Sequence, residues 1–162
     1  MVNSSPDGPL KPTVLDRLLQ ENDSSRHEYD VGYSIEDLKE SVQRNLELLL
    51  NTKWRATSWP DSLTELDRSL LNYGIPDFAS ISMSSNAAEW LRQQIEQTIS
   101  HHEPRFISVT VKSESSEGDL ARRELRFRIE GLLRAIPDPE PVVFDTQLDG
   151  EQRRMGVRES DE

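Results

Sequence analysis

Glu103-Pro104-Arg105 is the stretch of this chain that asks most for a chemical explanation. A carboxylate and a guanidinium flank a residue that cannot continue a helix. Glycoside hydrolysis is the reaction such an acid first suggests. It needs a second carboxyl ~5–9.5 Å away across a sugar cleft, with one of the two kept protonated by burial. Asp77 and Asp145 are the candidate partners, but neither stands in a recognisable companion motif. Aromatic platforms for a sugar are sparse, at 6% of residues. The chain has carboxylates without a pattern that would set their pKa values apart. His101 and His102 are adjacent, so on a helix they diverge by about 100° and make a poor metal pair. They suit the negative end of a helix. No nucleophile elbow, phosphate loop or dinucleotide fingerprint occurs, and no metal or cofactor is expected.

Two structural readings of Glu103 and Arg105 follow. In one, proline stops a helix and the two charges are solvated or weakly paired, contributing roughly 0–1 kcal/mol. In the other, the corner holds both charges in fixed directions, and a desolvated arginine serves as a binding hot spot. The basic-aromatic segment Lys53-Trp54-Arg55-Ala56-Thr57-Ser58-Trp59-Pro60 divides the same way, between packing and contact.

The elements that position the corner are legible in the periodicity. Ser34 is a good N-cap, and Asp37 gives a capping-box variant. Ile35, Leu38, Val42, Leu46, Leu49 and Leu50 recur at helical spacing up to Asn51-Thr52. A further helix is expected from Asp61-Ser62 through Leu63, Leu66 and Leu70. Gly74, free to take positive φ, and Pro76 end it. A second strong helix runs from about Ser85 to His101, with Ala88, Leu91, Ile95 and Ile99 as its stripe. Pro104 forces the chain out of it. Beyond the corner the period changes to two. Ile107, Val109 and Val111 share one face of a strand, and Leu125, Phe127 and Ile129 share one face of the next. Val142–Thr146 forms a third strand after the stiff spacer Pro137–Pro141. Helices first and strands last predict an α+β fold, a small mostly antiparallel sheet with N-terminal helices on one face. The other sheet face carries Ser108, Thr110, Glu124, Arg126, Arg128 and Glu130. A short amphipathic helix over 12–19, a loop over 21–33, a flexible lead over 1–12 and a disordered acidic tail over 150–162 complete the expectation. One domain spans 13–149.

The bulk numbers narrow the partners. Of 162 residues, 34% are hydrophobic and 30% charged, and the net charge is -11. Leu, Ile, Val and Phe together exceed the ~20% below which charged chains stay unfolded. Such acidity opposes nucleic acid and anionic membranes. Cysteine is absent, which removes a thiol nucleophile, thiolate zinc sites and a disulfide scaffold. The N-terminus shows no secretory pattern and no apolar run is long enough to span a bilayer, so a cytoplasmic location is expected.

Several segments, in order, carry a resemblance: Leu15-Asp16-Arg17-Leu18, Ser41 through Thr52, Leu70-Leu71-Asn72-Tyr73-Gly74-Ile75-Pro76-Asp77-Phe78, Glu103-Pro104-Arg105, and Pro141 through Thr146. Over roughly residues 13–149 the chain resembles the TssE family of type VI secretion baseplate wedge subunits. These are relatives of a contractile-tail phage baseplate protein once labelled lysozyme-like. The resemblance implies a scaffold and no enzyme. It implies that Glu103, Pro104 and Arg105 engage the wedge subunits TssF and TssG, with TssK reached through the wedge. Tyr73, Asp77 and Phe78 would extend that surface. It further implies a likeness to the interlocking domain of the sheath subunits TssB and TssC, whose first ring would add strands to this sheet. Val142, Phe144 and Asp145, or the segment Arg105–Val111, would then lie at an unprotected edge. Alanine at Glu103 or Arg105 is expected to spare the fold and abolish wedge binding. The alternative is a muramidase acting through Glu103.

Overall fold

The structure is a computed structural model that describes residues 14, 33–54, 60, 62–77, 85–116, 118–119, 124–149 and 154–160. The expected lead, most of the expected helix over 12–19, the segment Arg55–Trp59 and Phe78 lie outside the described residues. Two long helices precede a four-stranded sheet. Helix α1 spans Ile35–Asn51 and helix α2 spans Ser85–His102. The strands are β1 (Phe106–Ser113), β2 (Glu124–Leu133), β3 (Glu140–Asp149) and β4 (Arg154–Glu159). They pair antiparallel in the order β1-β2-β3-β4. The α+β class is as the order of periodicities required.

Helix α1 starts where its cap residues dictate. The Asp37 N–H donates to Ser34 Oγ and the Ser34 N–H to Asp37 Oδ2, both at 3.0 Å. Two orphan donors of the first turn are thereby satisfied. Leu38, Val42, Leu46, Leu49 and Leu50 are buried, as are Leu91, Ile95 and Ile99 of α2. They meet Leu125, Phe127 and Ile129 of β2 and Val142, Phe144 and Leu148 of β3 in one core. Each large side chain so buried contributes about 1.5–3 kcal/mol. The core is therefore helix stripe against sheet face, and α2 delivers the chain directly into the corner at Glu103.

Four expectations need correction. The tail contains a strand: Met155 and Val157 are buried on the core side of β4, while Arg154, Gly156 and Arg158 alternate outward. Two apolar positions sufficed once the sheet and α1 offered a surface. Pairing with β4 makes β3 an interior strand over 144–149, so Val142–Thr146 is not a free edge. In place of a helix after Asp61, two 3₁₀ turns form, Thr64–Arg68 and Leu70–Asn72. Ser69 separates them in extended conformation, donating through Oγ to the Leu66 carbonyl at 2.9 Å. A serine that bonds locally competes with the helical ladder. Leu63, Leu70 and Leu71 point outward as a result. Finally, an irregularity between Phe106 and Ser108 breaks the alternation in β1. Phe106 turns inward over Gly131, while Ile107 is exposed, leaving Val109 and Val111 to face the core.

Candidate functional site

The last helical bond of α2 runs from the Glu103 N–H to the Ile99 carbonyl at 2.9 Å. Pro104 then turns the chain, and the Phe106 N–H returns to the Glu103 carbonyl at 3.2 Å. The Arg134 N–H donates to the Arg105 carbonyl at 2.8 Å, tying the turn to the end of β2. Within this frame the two charges close on each other. Arg105 Nε donates to Glu103 Oε1 at 2.7 Å and Nη2 to Oε2 at 2.6 Å. The remaining guanidinium nitrogen, Nη1, donates to Ser41 Oγ of α1 at 2.8 Å. The side chains of Arg105 and Glu103 are 17% and 8% exposed. This fork joins α1, the end of α2 and the start of β1, and it is not the weak surface pair that spacing alone suggested. Fork-to-fork pairing is both strong and directional. Ser41 was the sequence's missed member. Its one available signal is a small polar residue beside Val42 on the apolar side of α1, where burial demands a partner.

Tyr73 and His102 line the corner's flank. Their rings meet edge to face with centroids 5.3 Å apart. His102 Nε2 lies 3.1 Å from the Asn72 carbonyl oxygen. Burial lowers the His102 pKa from 6.5, with the Asn72 carbonyl opposing and the neighbouring His101 adding to the fall. Burial raises that of Tyr73 from 10.0, helped by the negative charge of Glu103. The Leu70–Asn72 turn is thus tied to the end of α2 through Asn72 and Tyr73, and its Leu70 and Leu71 are exposed. Behind them, Gly74 takes φ +110°, Ile75 N–H bonds the Thr52 carbonyl at 2.9 Å, and Thr98 Oγ1 donates to the Gly74 carbonyl at 3.1 Å.

The remaining candidates scatter. Asp77 is exposed and pairs with Lys53 at 2.8 Å. Trp54 is half-buried. Val142 and Phe144 are buried against the helices, so they pack the core and do not face an incoming chain. Asp145 is on the opposite sheet face, in register with Arg128 and Arg158. It does not join Glu103, and neither does Asp77, in any paired-carboxyl arrangement. Among the described residues no group of three His, Asp or Glu side chains is placed to hold a metal ion. No helix there is long and apolar enough to cross a membrane.

Of the two expected edge segments, the one that runs into β1 lies on an outer strand of the sheet, and Val142–Thr146 does not. At β1, the Val111 N–H donates to Glu96 Oε2 at 2.9 Å, and Arg92 Nη1 donates to the Val111 carbonyl at 3.0 Å. At β4, Asn51 bonds both the N–H and the carbonyl of Met155, and Gln43 Nε2 donates to the Val157 carbonyl. Neither edge is bare, because helix side chains reach over both.

A family model described as "Baseplate wedge protein gp25" matches residues 36–138, well over half of the chain. The chain belongs to the baseplate wedge protein gp25 family. The matched span runs from α1 through the corner and β1–β2, and it ends before β3 and β4. Family membership supports a structural role in a baseplate. No curated protein and no solved structure matches it.

Proposed function

We propose that this chain is a TssE-like wedge subunit of a type VI secretion baseplate in the bacterial cytoplasm. It binds TssF and TssG, with TssK reached through the wedge, and it seeds the first TssB/TssC sheath ring. The observation that carries the wedge reading is the corner together with its apolar flank. Leu70 is 86% exposed and Leu71 60%, on a turn tied through Asn72 and Tyr73 to His102, the residue before Glu103-Pro104-Arg105. Exposed leucines on a turn tied to the end of α2 make a contact surface whose ordering cost is already met within the monomer. Glu103 and Arg105 act chiefly by holding this surface, and Pro104, which is exposed, supplies part of it. Tyr73, edge to face with His102, completes its margin.

The same geometry argues against a muramidase. Both oxygens of Glu103 accept from Arg105 and its side chain is 8% exposed, so neither oxygen is turned toward a bound sugar.

The test is co-purification with TssF and TssG. The double variant Leu70→Ser, Leu71→Ser should keep the wild-type melting temperature and lose at least tenfold in captured wedge proteins. Unchanged capture would overturn the surface assignment. Release of soluble fragments from purified peptidoglycan by the wild-type chain would overturn the structural role itself.

A further inference from the structure

Alternation along β2, β3 and β4 gives the sheet two faces. Leu125, Phe127, Phe144, Met155 and Val157 point to the helices, and Arg126, Gln147, Arg154, Gly156 and Arg158 lie exposed on the opposite face. Arg126, Gln147 and Gly156 stand in register across the three strands. Arg154 and Arg158 flank Gly156 along β4. Three arginines therefore surround a floor made of an amide side chain and a glycine. With strands ~4.8 Å apart and a rise of ~3.4 Å per residue, their Cα atoms are about 12–14 Å from one another. The space above the floor is a groove of about 890 Å³. A Cβ added at Gly156 would meet nothing within 4 Å, so the fold leaves the room over that residue unused.

The arginines are not consumed by the pairs they already make. Arg126 Nη2 is 3.5 Å from Glu124 and 3.7 Å from Asp119, and Arg154 Nη2 is 3.3 Å from Glu47. Strong charge-assisted bonds are shorter, at ~2.7–2.9 Å. Arg105 reaches that range against Glu103, at 2.7 and 2.6 Å. The side chains of Arg126 and Arg154 are 49% and 70% exposed, which leaves their donors open to a ligand.

The charge pattern selects the ligand. On a chain of net charge -11, this face is a local positive patch and attracts a negative partner. Guanidinium groups match carboxylates in a two-pronged geometry. Asp145, opposite Arg158, also lines the groove, as do Glu114 and Glu159. These acids repel a continuous phosphate backbone, whereas separate carboxylates can reach the arginines between them. The polar floor is unlike the mostly apolar lining of a small-molecule site.

We propose that this outer sheet face is a docking surface for an acidic segment of a partner protein, held by side-chain contacts to Arg126, Arg154 and Arg158 over Gly156. An extended segment presents carboxylates at i and i+4 on one side, about 13–14 Å apart, which is the spacing of Arg154 and Arg158. The residue midway between them faces Gly156. The contact involves no main-chain pairing with the sheet. It lies on the face away from both helices and does not depend on the wedge or sheath readings.

The test titrates the isotope-labelled full chain, followed by NMR, with a short peptide bearing two glutamates four residues apart and a leucine midway. Amide shifts should move at Gln147, Gly156 and Arg158 and saturate. The same peptide with glutamine for both glutamates should bind at least tenfold more weakly. Arg126→Gln combined with Arg158→Gln should also weaken binding at least tenfold. Gly156→Val leaves every charge in place and adds a side chain suited to a strand. It should keep the melting temperature and still weaken binding at least fivefold, and Gly156→Ala, carried alongside, should do so by a smaller factor. Equal binding of the glutamine peptide, binding unchanged in the arginine or glycine variants, or tighter binding of a single-stranded oligonucleotide of equal length would each overturn the inference.

Discussion

Arg105 holds Glu103 through two guanidinium nitrogens, at 2.7 and 2.6 Å, and uses the third to reach Ser41 at 2.8 Å, 64 residues away. One side chain thus joins both helices to the first strand. Alanine at Glu103 or Arg105, expected with the resemblance to spare the fold, is expected from this geometry to weaken it. Each single substitution leaves a charge uncompensated in a mostly buried place and should cost about 3–5 kcal/mol in urea unfolding. Glu103→Leu combined with Arg105→Met removes both charges and should cost less than either alanine variant alone. A double variant as unstable as the sum of the two singles would show that the fork is not a unit.

His102 makes the fold sensitive to mild acid. Its folded-state pKa lies below its unfolded value of about 6.5, so the neutral ring is favoured in the native state. The stability it contributes is present above that value and is lost as pH falls through the lower, folded one. Between pH 7.5 and 5, the wild type should lose more melting temperature than His102→Gln. Parallel pH profiles for the two chains would contradict this.

Tyr73 acts at the opposite end of the scale. Burial and then the Glu103 charge raise its pKa above 10.0, so the protonated hydroxyl is favoured in the fold. Its contribution is full below about 10 and disappears as pH rises through the higher folded value. Tyr73→Phe should flatten the alkaline loss of stability above that pH, and the phenolate absorbance of Tyr73 should appear later than that of an exposed tyrosine.

Gly74 is held where no side chain fits. Its φ is +110°, and an added Cβ would run into the Thr52 carbonyl oxygen. Gly74→Ala should cost at least about 1–3 kcal/mol from backbone strain, before the collision is counted. Chemical denaturation with an unchanged midpoint would show that the loop relaxes freely.

Gly131 leaves room for a ring. A Cβ at this position would overlap the Phe106 side chain. Gly131→Val should cost about 1–3 kcal/mol as overpacking, and Phe106→Leu in the same chain should recover part of it. Additive losses would mean the two positions do not compete for space.

The amphipathic stripes of α1 and α2 and the alternation over Glu124–Glu130 of β2 are each sustained repeats of one periodicity, so each was readable along the chain. The capping box at Ser34 and Asp37 and the positive φ at Gly74 were readable because each depends on a residue's own stereochemistry. The Glu-Pro-Arg corner was readable as a helix stop but not as a fork, since burial depends on Ser41 and on the strand that closes behind it. Leu63 and Leu70 misled the reading because the local bonding of Ser69 overrode a helical spacing of leucines.

By itself, the order of periods settled helices first, strands last and a sharp turn at Pro104, because those follow from dihedral preference and from which side of an element is apolar. Tertiary structure alone decided that residues 154–159 become a strand, that Val142 and Phe144 face the core, and that Gln43, Asn51, Arg92 and Glu96 bond backbone groups at the sheet edges. Those outcomes depend on backbone groups finding partners up to 114 residues away, and a linear sequence carries no distance between them.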